Sequence, residues 1–172
     1  MLLGNRLTFV SAPSENLAAA EFMLGRHMNL LEIVKSAWAF TGLSPRSVVD
    51  VNEFGNLLVD DFEGRVWLIR PEELSCRVVA SSLHDLELLR ETIDFKEDWA
   101  MERLVETATA LFGTPFTGRC FCLKIPAVLG GTYLKENLGT ISVEELVAAS
   151  GNMAEQIKDM PDETKVNIKI VY

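Results

Sequence analysis

The apolar residues of this chain change their spacing several times, and that alternation limits the folds open to it. Leu30, Ile33, Val34, Ala37 and Trp38 recur at helical intervals, with Asn29 and Glu32 forming a box-like cap and Gly42 a stop. After Ser44-Pro45 the pattern turns to strands, at Asn56 to Asp60 and Arg65 to Arg70, joined by Asp61-Phe62-Glu63-Gly64 as a hairpin loop. Cys76 to Ser81 reads as a third strand. From His84 to Phe112 the helical period returns, as two helices broken near Ile93 to Lys96. In the second, Met101, Leu104, Val105, Ala108, Leu111 and Phe112 share one apolar face, and Gly113 ends it. Arg119 to Ile125 alternates as a strand, and an irregular stretch runs from Pro126 through Gly130-Gly131 to Gly139. Ser142 and Glu145 cap a helix to Asp159, and Val166 to Val171 makes a closing strand. Helix, strands, helices, strand, helix, strand is the order of an α+β domain, with a mostly antiparallel or mixed sheet packed against several helices.

A length of 172 residues suits one domain, and an apolar fraction of 48% suffices for a core. Residues 1–27 read as an extension or short helix of doubtful status, and 28–172 as the domain. No apolar run reaches the ~20 residues of a membrane span, and the start of the chain lacks the pattern of a signal peptide. Three cysteines cannot all pair, which fits a reducing compartment and places the chain in the cytoplasm.

The charge is unevenly placed. Between Asp50 and Glu106 there are fifteen acidic and six basic residues, a net of −9, equal to the net charge of the whole chain. Such a surface repels nucleic acid and anionic membrane and steers a basic partner inward; it also serves solubility alone. Asp94, Asp98, Glu102 and Glu106 recur every four residues and would stack along one flank of a helix. Stacked like charges cost that helix ~0.2–0.5 kcal/mol per pair, so the stripe is a candidate docking surface, as well as an ordinary solvated face.

Groups for catalysis are scarce. His27 and His84 lack a nucleophile or acid partner in any recognisable pattern. Cys120 and Cys122 point to one face of a strand, but no further Cys or His completes a metal site, so they read as buried small residues. The run from Asp50 to Asp61 echoes a calcium loop, but Phe54 stands at a ligand position and Asp61 replaces the bidentate Glu. Gly130-Gly131 lacks the Gly-Lys-Ser/Thr of a phosphate loop and reads as a tight turn. These readings give no catalytic residue, metal or cofactor. A small carboxylate-dependent hydrolase and a structural or regulatory subunit remain alternatives to a binding module, and homo-oligomerisation is open.

From Ile33 to Tyr172 the sequence resembles the C-terminal domain of type VI secretion DNase-immunity proteins. The resemblance is carried by Lys124, Pro126, Leu129, Gly130, Gly131, Tyr133 and Asn137, by Gly151, Ala154, Gln156 and Ile157, and by the turn Asp159 to Asp162. Phe54-Gly55-Asn56 and Arg70-Pro71-Glu72-Glu73 match its earlier half, whereas Glu163 departs from a commoner Gly. The Gly-, Pro- and Asn-rich motif reads as fold-defining. It lies apart in sequence from the acidic stripe, so fold and partner choice read as belonging to separate regions. The resemblance implies a non-catalytic immunity protein and a protein toxin with a basic surface, plausibly a DNase, as partner.

Overall fold

The computed structural model describes residues 29–161. At its centre is an antiparallel sheet of β1 (Pro45–Val51), β2 (Leu57–Asp61), β3 (Val66–Arg70) and β4 (Ser75–Ala80), in that order. β2 and β3 are buried at every position because both faces of the sheet are covered. The period of two sends Leu57, Val59, Trp67 and Ile69 to one face, where α1 (29–37) and α5 (Val143–Ile157) pack. It sends Leu58, Val66 and Leu68 to the other, under α2 (Leu83–Arg90) and α3 (Ile93–Ala100). Register pairs Leu57 with Ile69 and Val59 with Trp67, so like faces meet across the hairpin.

A second sheet of two antiparallel strands, β5 (Arg119–Leu123) and β6 (Leu138–Ser142), lies under α4 (Glu102–Phe112). Phe54, Ala108, Phe121, Leu123 and Leu138 form its core. Cys120 and Cys122 share the opposite face and are buried; burial pushes the Cys120 thiol up to about 12, as expected for an inert core residue. The arrangement is the α+β domain that the mixed periodicity predicts.

Local signals explain most element ends. The Ser142 side chain accepts from the Glu145 amide at 3.2 Å, the predicted cap, and donates to the Glu145 carboxylate at 2.8 Å, so the carboxylate meets the hydroxyl and not the Ser142 amide of a full capping box. α5 crosses α1 where Gly151 lets the backbones approach, since a Cβ there would stand 2.6 Å from the Ala37 carbonyl oxygen. The Trp38 indole donates to the Val147 carbonyl at 3.2 Å across the same crossing. Asp61 closes the β2–β3 hairpin by accepting from the amides of Glu63 and Arg65 and from the side chains of Arg65 and Trp67, at 2.8–2.9 Å. Burial pulls this carboxyl upward, and those hydrogen bonds outweigh it, leaving it below the usual range.

Several expectations need correction. Asn29 is already helical, so it does not cap α1. β1 starts at Pro45, where the sequence reading places only the approach to the hairpin; as an edge strand it tolerates both the proline and polar exposure. The region from 83 to 112 holds three helices, with breaks at Thr92 and Met101. Thr92 caps α3 by accepting from the Phe95 amide. α4 buries Ala108 and partly buries Met101, Leu104 and Val105, but Leu111 and Phe112 are exposed. β6 begins at Leu138, inside and beyond the stretch read as irregular. The expected extension at 1–27 and closing strand at Val166 to Val171 lie outside the described residues.

Candidate partner-binding cleft

The four acidic residues expected along one helix are split between two. Asp94 and Asp98 stand on α3, Glu102 and Glu106 on α4, and between them Met101 turns the chain with φ of 48°. A left-handed conformation is rare for a residue with a side chain, and the surroundings hold it. Met101 donates its amide to the Glu97 carbonyl at 3.1 Å. The Asn52 carboxamide donates to the Trp99 carbonyl at 2.8 Å while its oxygen accepts from the Phe54 and Asn56 amides. The Asn56 carboxamide donates toward the Met101 sulfur at 3.4 Å. The elbow is thus tied to the turn between β1 and β2.

This elbow forms one wall of a cleft of about 790 Å³, lined by Glu97, Asp98, Met101, Glu102, Arg103, Leu104, Thr107 and Tyr133. A smaller hollow of about 400 Å³ adjoins it, and Glu97 and Glu102 line both. Of the predicted stripe, Asp98 and Glu102 therefore share the cleft, whereas Asp94 and Glu106 line neither hollow. Asp98 is paired to Arg70 at the end of β3, and Arg70 also donates to Glu73 at 3.0 Å. Glu97 and Glu102 have no ion-pair partner among the described residues. Four-residue spacing does not single out Glu97, because the elbow at Met101 rotates α4 out of the register that a single helix would keep.

Tyr133 forms the opposite wall, and it comes from the Gly- and Asn-rich motif. The motif occupies the loop between β5 and β6, where Asn137 closes both ends. Its side chain accepts from the Ile125 amide and donates to the Ile125 and Thr132 carbonyls, each at 2.9 Å. Its backbone carbonyl accepts from the Lys124 amide at 2.8 Å, and the Lys124 ammonium donates to the Glu136 carbonyl at 3.0 Å. The Pro126 carbonyl accepts from Leu129 and Gly131. Gly130 supplies the left-handed turn at φ of 87°, and Gly131 has no room for a Cβ, which would stand 1.8 Å from the Ile125 carbonyl oxygen. Leu129 packs against the main core. These bonds fix the backbone of the loop, and of the motif residues Tyr133 lines the cleft. Burial raises its hydroxyl above the ordinary tyrosine range, with Glu72 and Glu73 adding to the effect.

Under the cleft lie the two earlier segments of the resemblance. The Asn56 carboxamide donates to buried Glu72 at 3.1 Å, and burial holds the Glu72 carboxyl above the ordinary range. The second Glu72 oxygen and the Asn56 oxygen have no hydrogen-bond partner among the described residues. Acidic region and motif, distant in sequence, thus line one cleft.

Residues 80–154, which include the elbow, the cleft walls and the motif loop, match a family model described as "T6SS immunity protein Tdi1, C-terminal". That is the family the motif resembles. The match leaves Phe54-Gly55-Asn56 and Arg70-Pro71-Glu72-Glu73 outside its range. No curated protein matches the chain. Among solved structures, the crystal structure of Atu4351 from Agrobacterium tumefaciens is similar in fold, with a TM-score of 0.53 at 14% identity, over 73% of this chain and 63% of that one. The chain thus spans under two thirds of the length of that structure. Among the described residues no helix is long and apolar enough to cross a membrane, and no group of three or more His, Cys, Asp or Glu side chains is placed to hold a metal ion.

Proposed function

We propose that this protein is an immunity protein that binds and neutralises a toxin of type VI secretion in the cytoplasm, and that it does so without catalysis. The observation that carries the reading is the coincidence of the immunity-family match at 80–154 with the acidic elbow and cleft in the same residues. Glu97 and Glu102 line both hollows and form no ion pair among the described residues, which suits a partner bearing lysine or arginine. A nuclease has such residues where it grips phosphates, so a basic DNase is the partner class that the surface fits best. Asp94 and Glu106 extend the same negative field beyond the cleft and steer the encounter.

The test is binding of purified protein to the toxin encoded beside its gene, measured over a range of salt. The reading expects a stable complex, loss of toxin activity in the complex, and affinity that falls as salt rises. A gene neighbourhood without a toxin, together with a concentration-dependent homodimer that captures no partner, would favour a structural or regulatory subunit instead.

A further inference from the structure

Acidity brings a basic partner near, but it does not by itself hold one. Tight interfaces are built around a few desolvated aromatic and apolar anchors ringed by polar groups. The loop between β5 and β6 has that composition. Ile125, Val128, Tyr133 and Leu134 are 49%, 57%, 44% and 63% exposed, within one short segment. Single exposed apolar side chains are common on any surface, whereas four within ten residues concentrate apolar surface as interaction sites do.

This segment is also rigid. Its ends are joined by the hydrogen bonds of Asn137 to Lys124 and Ile125, its turn is set by Gly130, and Gly131 packs closely on the Ile125 carbonyl. A preformed loop loses little conformational entropy when it docks. The neighbouring cleft adds a charge requirement: Glu97, Asp98 and Glu102 face it against one cation, Arg103, while Arg70 already occupies Asp98. Glu97 and Glu102 are the carboxylates of the cleft that form no ion pair among the described residues, and Tyr133 lines the same cleft.

We propose that the loop from Ile125 to Leu134 is the apolar anchor of the toxin interface, and that a partner arginine or lysine beside it enters the cleft between Glu97, Glu102 and the Tyr133 ring. The inference rests on the toxin reading and assigns the part of the surface that holds the complex together. The cation lies against carboxylates and an aromatic face, both favourable to a guanidinium. The loop controls dissociation, and the acidic elbow controls encounter and salt dependence.

The experiment measures association and dissociation rates of the neighbouring-gene toxin with wild type, Tyr133→Ala, Tyr133→Phe, Leu134→Asp and the pair Glu97→Gln/Glu102→Gln, at low and high salt. Thermal melting shows that each variant is folded. Tyr133→Ala and Leu134→Asp are expected to weaken binding at least about tenfold through faster dissociation, and Tyr133→Phe, which keeps the ring, to stay within about threefold. The double glutamine variant is expected to slow association and flatten the salt dependence. Wild-type binding with Tyr133→Ala and Leu134→Asp both unchanged would overturn the anchor and leave the toxin reading intact. No binding by wild type would overturn the toxin reading, and the anchor with it.

Discussion

The hairpin turn between β2 and β3 and the loop between β5 and β6 are each closed by one polar side chain. Asp61 gathers four donors at the hairpin, and the strands it joins are buried on both faces. Asn137 both donates and accepts at the loop, and the segment it closes turns several apolar side chains outward. A carboxylate suits the first turn because every group aimed at it is a donor. A carboxamide suits the second because carbonyls and an amide both face it. The same device, a buried side chain standing in for backbone partners, secures the core in one place and presents a surface in the other.

That difference predicts unequal costs. Asp61→Ala leaves a buried indole N–H and two turn amides without their acceptor, and each orphaned donor costs about 1–3 kcal/mol. A loss of about 4 kcal/mol is expected, lowering the melting temperature by roughly 8–16 °C. The folded-state pKa of Asp61 is depressed, so its contribution is present above the unfolded value of 3.8 and is lost as pH falls below it. The gap between wild type and Asp61→Ala should therefore narrow on acidification. A constant gap down to the acid transition would show that the carboxylate is not the tie.

Asn137→Ala should cost less, about 2 kcal/mol, because Leu129 and Ala127 still pack the loop against the two cores. Its sharper sign is local: amide exchange at Ile125 should accelerate far more than exchange in β2 or β3. Equal acceleration throughout would mean that the loop and the sheet open as one unit, and the contrast between the two turns would fail.

How much of this was legible from sequence follows the same division. The hairpin could be read because Asp61 and its partners lie within six residues, and α5 because its cap is written in Ser142 and Glu145. The elbow at Met101 could not. The residues that hold it, Asn52 and Asn56, lie about 45–50 positions away, and the apolar period runs through 101 without a Gly or Pro. β6 escaped because its register comes from β5, across the motif loop. The cleft escaped for both reasons together. Asp98 and Glu102 were found by spacing for a helix that does not exist, and Tyr133 was found as a motif residue without a place. Glu97 carried no signal, since its role depends on the elbow.

Buried Glu72 supplies a smaller effect. Burial raises the folded-state pKa of Glu72, so the stability linked to it is present below the unfolded value of 4.5 and is lost as pH rises through the folded value. Glu72→Gln removes the buried anion while retaining its shape. It should match or fall below wild type at pH 4 and exceed it by about 1 kcal/mol at pH 8, as followed by melting at the two pH values. A wild-type advantage that grows with pH would mean that Arg70 compensates the carboxylate fully. Smallest of all for stability is Glu102→Gln, an exposed change within about 0.5 kcal/mol of wild type, although its salt-dependent toxin binding should fall measurably.

If the proposed function holds, the acidic elbow and the motif loop form one toxin-binding surface. Hydrogen–deuterium exchange with and without the neighbouring-gene toxin tests it most directly. Exchange should slow in the α3–α4 elbow around 97–104 and in the loop at 125–137 together, with the start of edge strand β1, Pro45 to Val48, unchanged. Protection of one of these segments without the other, or a footprint on β1 alone, would contradict it.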